Sequence, residues 1–247
     1  MRILIASLPR AGSTMLFRAI AGLPQGSTMP RNPFCKFVHD LSKIPNKPFL
    51  KTHSPAPKSL PKDIRVIYLY DDPVKCVVSA RKKRWDKLSW YLNNWVHDNE
   101  PDIYNKDDYG LEENFSSWIS GHDYPVLAVR YESMWQRKKE IEKFVGFNFR
   151  LPEKKERTTE IDDDLKYHLQ TVYFQLSNRM QEVPDVALIS NEDVEDSRSQ
   201  NIPSVRKLDV IAIQKKRFFI WVYEKLLRRV SSLVSKVIFT LRVKSRS

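Results

Sequence analysis

Cysteine is scarce. The 247-residue chain has two, Cys35 and Cys76, too few for a disulfide framework, which predicts a reducing, cytoplasmic setting. No charged segment, apolar core and cleavage site open the chain, so no signal peptide is expected. No uninterrupted apolar stretch reaches the roughly 20 residues that span a bilayer. The sequence also lacks a metal-ligand cluster, which predicts chemistry without a metal, and any internal repeat. Acidic residues nearly vanish at the C-terminal end. Residues 215–247 hold ten Lys or Arg against one acid, Glu224, and so carry +9 of the whole chain's +12. The other 214 residues net only +3, so the charge belongs to the tail and nucleic acid is not an expected partner.

What is present begins at residue 3. Ile3-Leu4-Ile5-Ala6 is a short continuous apolar run, which suits a fully buried parallel strand. Ser7 to Thr14 breaks the run with turn residues, and Met15, Leu16, Ala19 and Ile20 resume at helical spacing. Strand, tight loop and helix in that order aim loop N–H groups and a helix N terminus at one point, which makes an anion site. Gly12 lets the backbone approach closely, Ser13 and Thr14 offer hydroxyls, and Arg10 brings a fixed, forked cation. The Gly-x-x-x-x-Gly-Lys-Ser/Thr form of such a loop is absent, because Arg10 precedes Gly12 and no Lys follows it.

Further along, residues 22–48 are irregular, with a short helix expected near Phe37 to Leu41. Residues 48–53 form a strand. Ile64 to Tyr70 is the strongest strand signal, rich in β-branched and aromatic residues. A helix follows from Val74 to about Asn94, with Pro73 near its start. Leu111 to Ser120 reads as helix, Val126 to Tyr131 as strand, Trp135 to Val145 as helix ended by Gly146, and Asp164 to Val183 as helix. Alternating strands and helices predict an α/β fold with a central parallel sheet and flanking helices. Ligands of such sheets sit at the carboxyl ends of the strands, where Arg10, His53 and Ser79 would meet. The organisation expected is an α/β domain over 1–183, an acidic linker or loop over 184–204 and a basic amphipathic helix over 205–247.

Four pieces now stand in order: Leu8-Pro9-Arg10-Ala11-Gly12-Ser13-Thr14; Phe49-Leu50-Lys51-Thr52-His53-Ser54-Pro55; Arg65 to Pro73 followed by Val77-Val78-Ser79; and Arg130-Tyr131-Glu132-Ser133-Met134. Over about residues 3–150 they resemble the sulfotransferases that use 3′-phosphoadenosine 5′-phosphosulfate (PAPS), whose domain has a P-loop-like fold. The resemblance implies that Arg10 contacts the 5′-phosphosulfate and that the loop Ala11-Gly12-Ser13-Thr14 cradles the 5′-phosphate. Lys51 would hold the transferring sulfuryl group and His53 would act as general base. Ser79 would bind the 3′-phosphate, and Tyr131 would lie near the adenine. The acceptor it implies bears a hydroxyl or an amine. The chain departs from the family pattern in several places: Arg10 sits where the family usually has Lys, and the family's late Gly-x-x-Gly-x-x-Lys-type segment is not recognisable after residue 150. Asp71 stands where the family has Arg, leaving Arg81, Lys82, Lys83 and Arg84 as the cations available for the 3′-phosphate. Met15 stands where many members stack an aromatic ring on adenine. The alternatives are a sulfotransferase-like binding protein without turnover and a membrane-peripheral protein acting through its tail.

That tail has its own pattern. From Val222 to Leu241 apolar residues recur on one helical face, while Lys225, Arg228, Arg229, Ser232 and Lys236 fall opposite. An interfacial helix on an anionic membrane surface is expected from residues 215–247, with a helical hairpin or dimer contact as its rival.

Overall fold

The computed structural model describes residues 1–24, 32–82, 102–154, 161–190, 211–220 and 222–223, with the side chains of residues 81 and 82 left out. Six strands form one sheet: β1 (Arg2–Ser7), β2 (Cys35–Phe37), β3 (Phe49–Thr52), β4 (Ile64–Tyr70), β5 (Val126–Arg130) and β6 (Val186–Ile189), in the order β2-β3-β1-β4-β5-β6. The first five are parallel, and β6 runs antiparallel to β5. Among the described residues the helices joined to it are α1 (Ser13–Ala21), α2 (Pro73–Lys82), α3 (Leu111–Ile119), α4 (Lys138–Val145), α5 (Asp163–Val172) and α6 (Phe174–Glu182), and residues 211–220 are also helical. The α/β class read from the sequence is the class observed.

Strand alternation sorts the core into two layers. On one face Ile3 and Ile5 of β1 and Phe49 of β3 pack with Leu16, Phe17 and Ile20 of α1 and Ile141 and Phe144 of α4. On the other, Leu4, Val66 and Tyr68 pack with Val77 of α2, Phe115 and Trp118 of α3 and Leu176 of α6. Burial on both faces is why β1 and β4 are nearly all apolar rather than alternating. α1 stops at Gly22, whose φ of 72° lets Leu23 N–H reach the Arg18 carbonyl at 2.8 Å.

Four expectations need correction. No helix forms at Phe37 to Leu41. Cys35–Phe37 instead pairs with Phe49–Lys51, and Val38 N–H donates to the Lys51 carbonyl, so the backbone is spent on an edge ladder. The helix expected from Trp135 begins only at Lys138, because Trp135 turns its indole N–H to the Pro152 carbonyl and its ring edge-on to Tyr131. The single helix expected over 164–183 is two, broken at Tyr173, whose buried ring sends its hydroxyl to the Ile103 carbonyl at 2.9 Å. The stretch expected as linker from residue 184 opens with β6, so the sheet extends to Ile189. Of the α2 extension toward Asn94, residues 83–101 lie outside the described residues. So does the tail beyond 223.

Candidate functional site

Period-two alternation fixes the first half of the site. Ser7 ends β1 on the same face as Ile3 and Ile5. Lys51 follows Phe49 on that face of β3, and His53 follows Lys51. All three therefore point to the side covered by α1, at the carboxyl edge of the sheet. His53 and Lys51 are only 4% and 3% exposed.

Their hydrogen bonds define a chain. The Ser7 carbonyl lies 3.0 Å from His53 Nδ1 and can only accept, so Nδ1 carries the proton. The Ser7 hydroxyl lies at 3.0 Å from the same nitrogen. His53 Nε2 thus has its lone pair free to accept, and it faces Lys51 Nζ at 2.8 Å. Phe37 floors the pair, with Lys51 Nζ 5.0 Å from its ring centre and the His53 ring at 5.6 Å. Behind them Asn114 Nδ2 donates to the His53 carbonyl at 2.8 Å, and the Tyr68 hydroxyl donates to Asn114 Oδ1 at 3.1 Å.

The loop before α1 supplies the other half. Arg10 is in the left-handed region, with φ 64°, and its Nε donates to the Ser79 hydroxyl of α2 at 3.0 Å. That bond joins residues 69 apart in sequence across the carboxyl edge of the sheet. Ala11 is fully buried, its N–H donating to the Leu8 carbonyl. Gly12, also left-handed at φ 81°, opens α1. Among the described residues no side-chain hydrogen bond caps that helix and no acid lies in its first turn, so its positive end faces the adjoining cavity. Arg10, Gly12, Ser13, Thr14, Met15, Arg18 and His53 line that cavity, of about 230 Å³. No carboxylate is among these described lining residues.

Burial and like charge set the protonation. Desolvation brings the Lys51 ammonium down to about 7, and the nearby Arg10 and Arg18 guanidiniums push the same way. Desolvation and the charge of Lys51 hold His53 well below its ordinary value, so its imidazole is neutral at neutral pH. A cavity that depresses its own cations favours an anion, which would offset the repulsion.

The Lys51 shift has a signed consequence for stability. Unfolding returns Lys51 to about 10.5. Between pH 7 and 10.5 the unfolded chain therefore holds a proton that the folded chain lacks, and Lys51's contribution to stability rises with pH across that window. Lys51→Met lacks that rise. The melting temperature of the variant minus that of the wild type is expected to be greatest near pH 7 and to shrink steadily toward the alkaline end. A gap flat with pH would show that folding leaves the Lys51 pKa where it was.

Of the residues singled out in the sequence, Arg10, Ala11, Gly12, Ser13, Thr14, Lys51, His53 and Ser79 converge here. Tyr131, the first residue of a 3₁₀ turn after β5, lies against Gly12. The side chain of Arg81 lies outside the described residues, as do Lys83 and Arg84. Asp71 follows β4, is 2% exposed, and accepts the Asp72 N–H on Oδ1. Four participants escaped the sequence reading: Ser7, Phe37, Asn114 and Arg18. Only Arg18 had a signal, lying one helical turn beyond Thr14.

No protein-family model matches this chain. No curated protein does. Among solved structures, the mouse sulfotransferase SULT7A1 complexed with PAP is similar over 95% of this chain and 88% of its own, at 15% identity and a TM-score of 0.39. The fold described above rests on the sheet itself.

Proposed function

We propose that this chain is a PAPS-dependent sulfotransferase acting on a hydroxyl or amine acceptor. The observation that carries the proposal is the hydrogen bond between Lys51 and His53 beside a cavity whose described lining holds His53, Arg10 and the N terminus of α1 and no carboxylate. The four motifs that resemble the sulfotransferases are the ones whose residues meet there.

The donor set fits a phosphosulfate. Loop amides and hydroxyls from Gly12 to Thr14 suit a phosphate, and Arg10, Arg18 and Lys51 match spread negative charge. PAPS supplies the sulfuryl group. Sulfuryl transfer resembles phosphoryl transfer in needing in-line positioning and charge neutralisation more than covalent help. His53 holds its Nδ1 proton on Ser7, which leaves Nε2 to take the proton from the acceptor hydroxyl or amine. Lys51 Nζ faces that lone pair at 2.8 Å. An anion that draws Lys51 toward itself uncovers the base, so donor binding and base activation are coupled through one side chain.

The test is transfer of label from radiolabelled PAPS to a panel of hydroxyl and amine acceptors, with release of adenosine 3′,5′-bisphosphate measured in parallel. Acceptor-dependent release and label transfer support the proposal. Tight nucleotide binding without transfer to any acceptor favours the second reading, a nucleotide-binding protein without turnover. One observation speaks for that reading: the buried carboxylate of Asp71 stands where the family pattern has Arg, and an acid repels a 3′-phosphate.

A further inference from the structure

The chain has one face that the nucleotide site does not use. Residues 211–220 and 222–223 are helical. Ile213 and Ile220 of this segment are buried in the α1 layer of the core. Arg217, between them on the same stripe, is held three ways: Nη1 donates to the Asn148 carbonyl at 2.8 Å, Nη2 to the Ala19 carbonyl at 3.4 Å, and the guanidinium lies 4.8 Å from the Phe147 ring centre. Burial has lowered the pKa of that guanidinium. The inner face of the segment is therefore fixed to the domain, and to α1 in particular.

At 100° per residue, Ile211, Lys215 and Phe218 lie opposite that stripe, flanked by Phe219, with Lys216 exposed nearer its border. Phe218 and Phe219 are 60% and 58% exposed, and Ile211 is 44% exposed. The two rings meet edge-on, 6.1 Å apart. Single exposed apolar residues are ordinary, but two large rings and an Ile on one outward helical face, interleaved with Lys215 and Lys216, are a built pattern. No acid occurs from Val210 to Tyr223, and the sequence beyond adds seven more cations against Glu224.

We infer that the outward face of residues 211–220 docks on an anionic lipid bilayer, Phe218 and Phe219 entering the headgroup–acyl boundary while the lysines meet lipid charge. The cations decide the occupant. A second copy of this chain would set the same Lys215 and Lys216 against themselves, whereas anionic headgroups complement them. Because Arg217 ties the segment to the Ala19 carbonyl of α1, docking holds the domain in a fixed orientation to the lipid surface rather than on a loose tether.

The test uses the full-length chain, sedimented with phosphatidylcholine vesicles with and without phosphatidylserine. Binding is expected to be at least about tenfold stronger on the serine-containing vesicles and to weaken with salt. Phe218→Ser/Phe219→Ser is expected to lose about tenfold or more of that binding with its melting temperature unchanged, since both rings are outside the core. Lys215→Glu/Lys216→Glu serves as a second variant, weakening binding to anionic vesicles only. Failure of the wild type to bind phosphatidylserine vesicles overturns the inference. Unchanged binding by the double Phe variant overturns it as well, moving any affinity to the tail. A dimer dissolved by the Phe substitutions, without vesicle binding, assigns the face to a second copy instead.

Discussion

His53→Ala is expected to reduce sulfuryl transfer by about 10²- to 10⁴-fold, the range that a positioned general base supplies. Affinity for adenosine 3′,5′-bisphosphate should change little, because the anion-facing groups, Arg10, Ser13, Thr14 and Arg18, come from the loop and α1. The neutral imidazole adds a pH signature. His53 is held well below its ordinary value, so the wild-type rate should show no acid limb at about 6.5 and fall only further into acid, where Nε2 takes a proton and ceases to be a base. The residual rate of His53→Ala should lack that acid limb. A variant that retains most of its turnover, or the same acid limb, would remove His53 from the proton transfer.

Gly12→Ala is the second large effect, and its cause is steric. Gly12 has φ 81°, a conformation that costs an L-residue about 1–2 kcal/mol. A Cβ there would also lie 2.3 Å from Tyr131 Cε2 and 2.5 Å from Cδ2, far inside contact distance. The Tyr131 ring is nearly buried beside Trp135, so relief has to come from the loop, which is the proposed anion site. Loss of nucleotide affinity by more than about tenfold is expected, together with a lower melting temperature. Adding Tyr131→Ala should restore part of the stability by removing the clash, but not the part owed to φ. Calorimetric binding and thermal melts on both variants test this. Gly12→Ala with wild-type affinity would show that the loop does not hold the ligand.

The residues that were legible before the structure share a feature: their signal is local. The β1–loop–α1 unit declares itself through an apolar run, a Gly-Ser-Thr break and helical spacing. β4 runs from Ile64 to Tyr70 as its β-branched and aromatic composition predicts. Lys51 and His53 could be paired because a strand turns alternate residues to one side. What escaped was settled by tertiary contact. Cys35-Lys36-Phe37 has too few residues to announce a strand and becomes one only because β3 offers a free edge. Val186-Ala187-Leu188-Ile189 was an apolar run of four, hidden by the acidic sequence after it, and it became an antiparallel edge on β5. Asn114 gave no sign at all: a single polar residue on α3, buried at the His53 carbonyl across 61 residues of chain. Ser7 looked like a turn residue and proves to orient the imidazole.

One measurement tests the central claim most directly: calorimetric binding of adenosine 3′,5′-bisphosphate against 5′-AMP to the full-length chain. The account predicts clear preference for the bisphosphate, which requires a 3′-phosphate site to operate despite Asp71, on top of the 5′-phosphate cradle between Arg10 and Thr14. Equal affinity for the two nucleotides, or binding of neither, would contradict it.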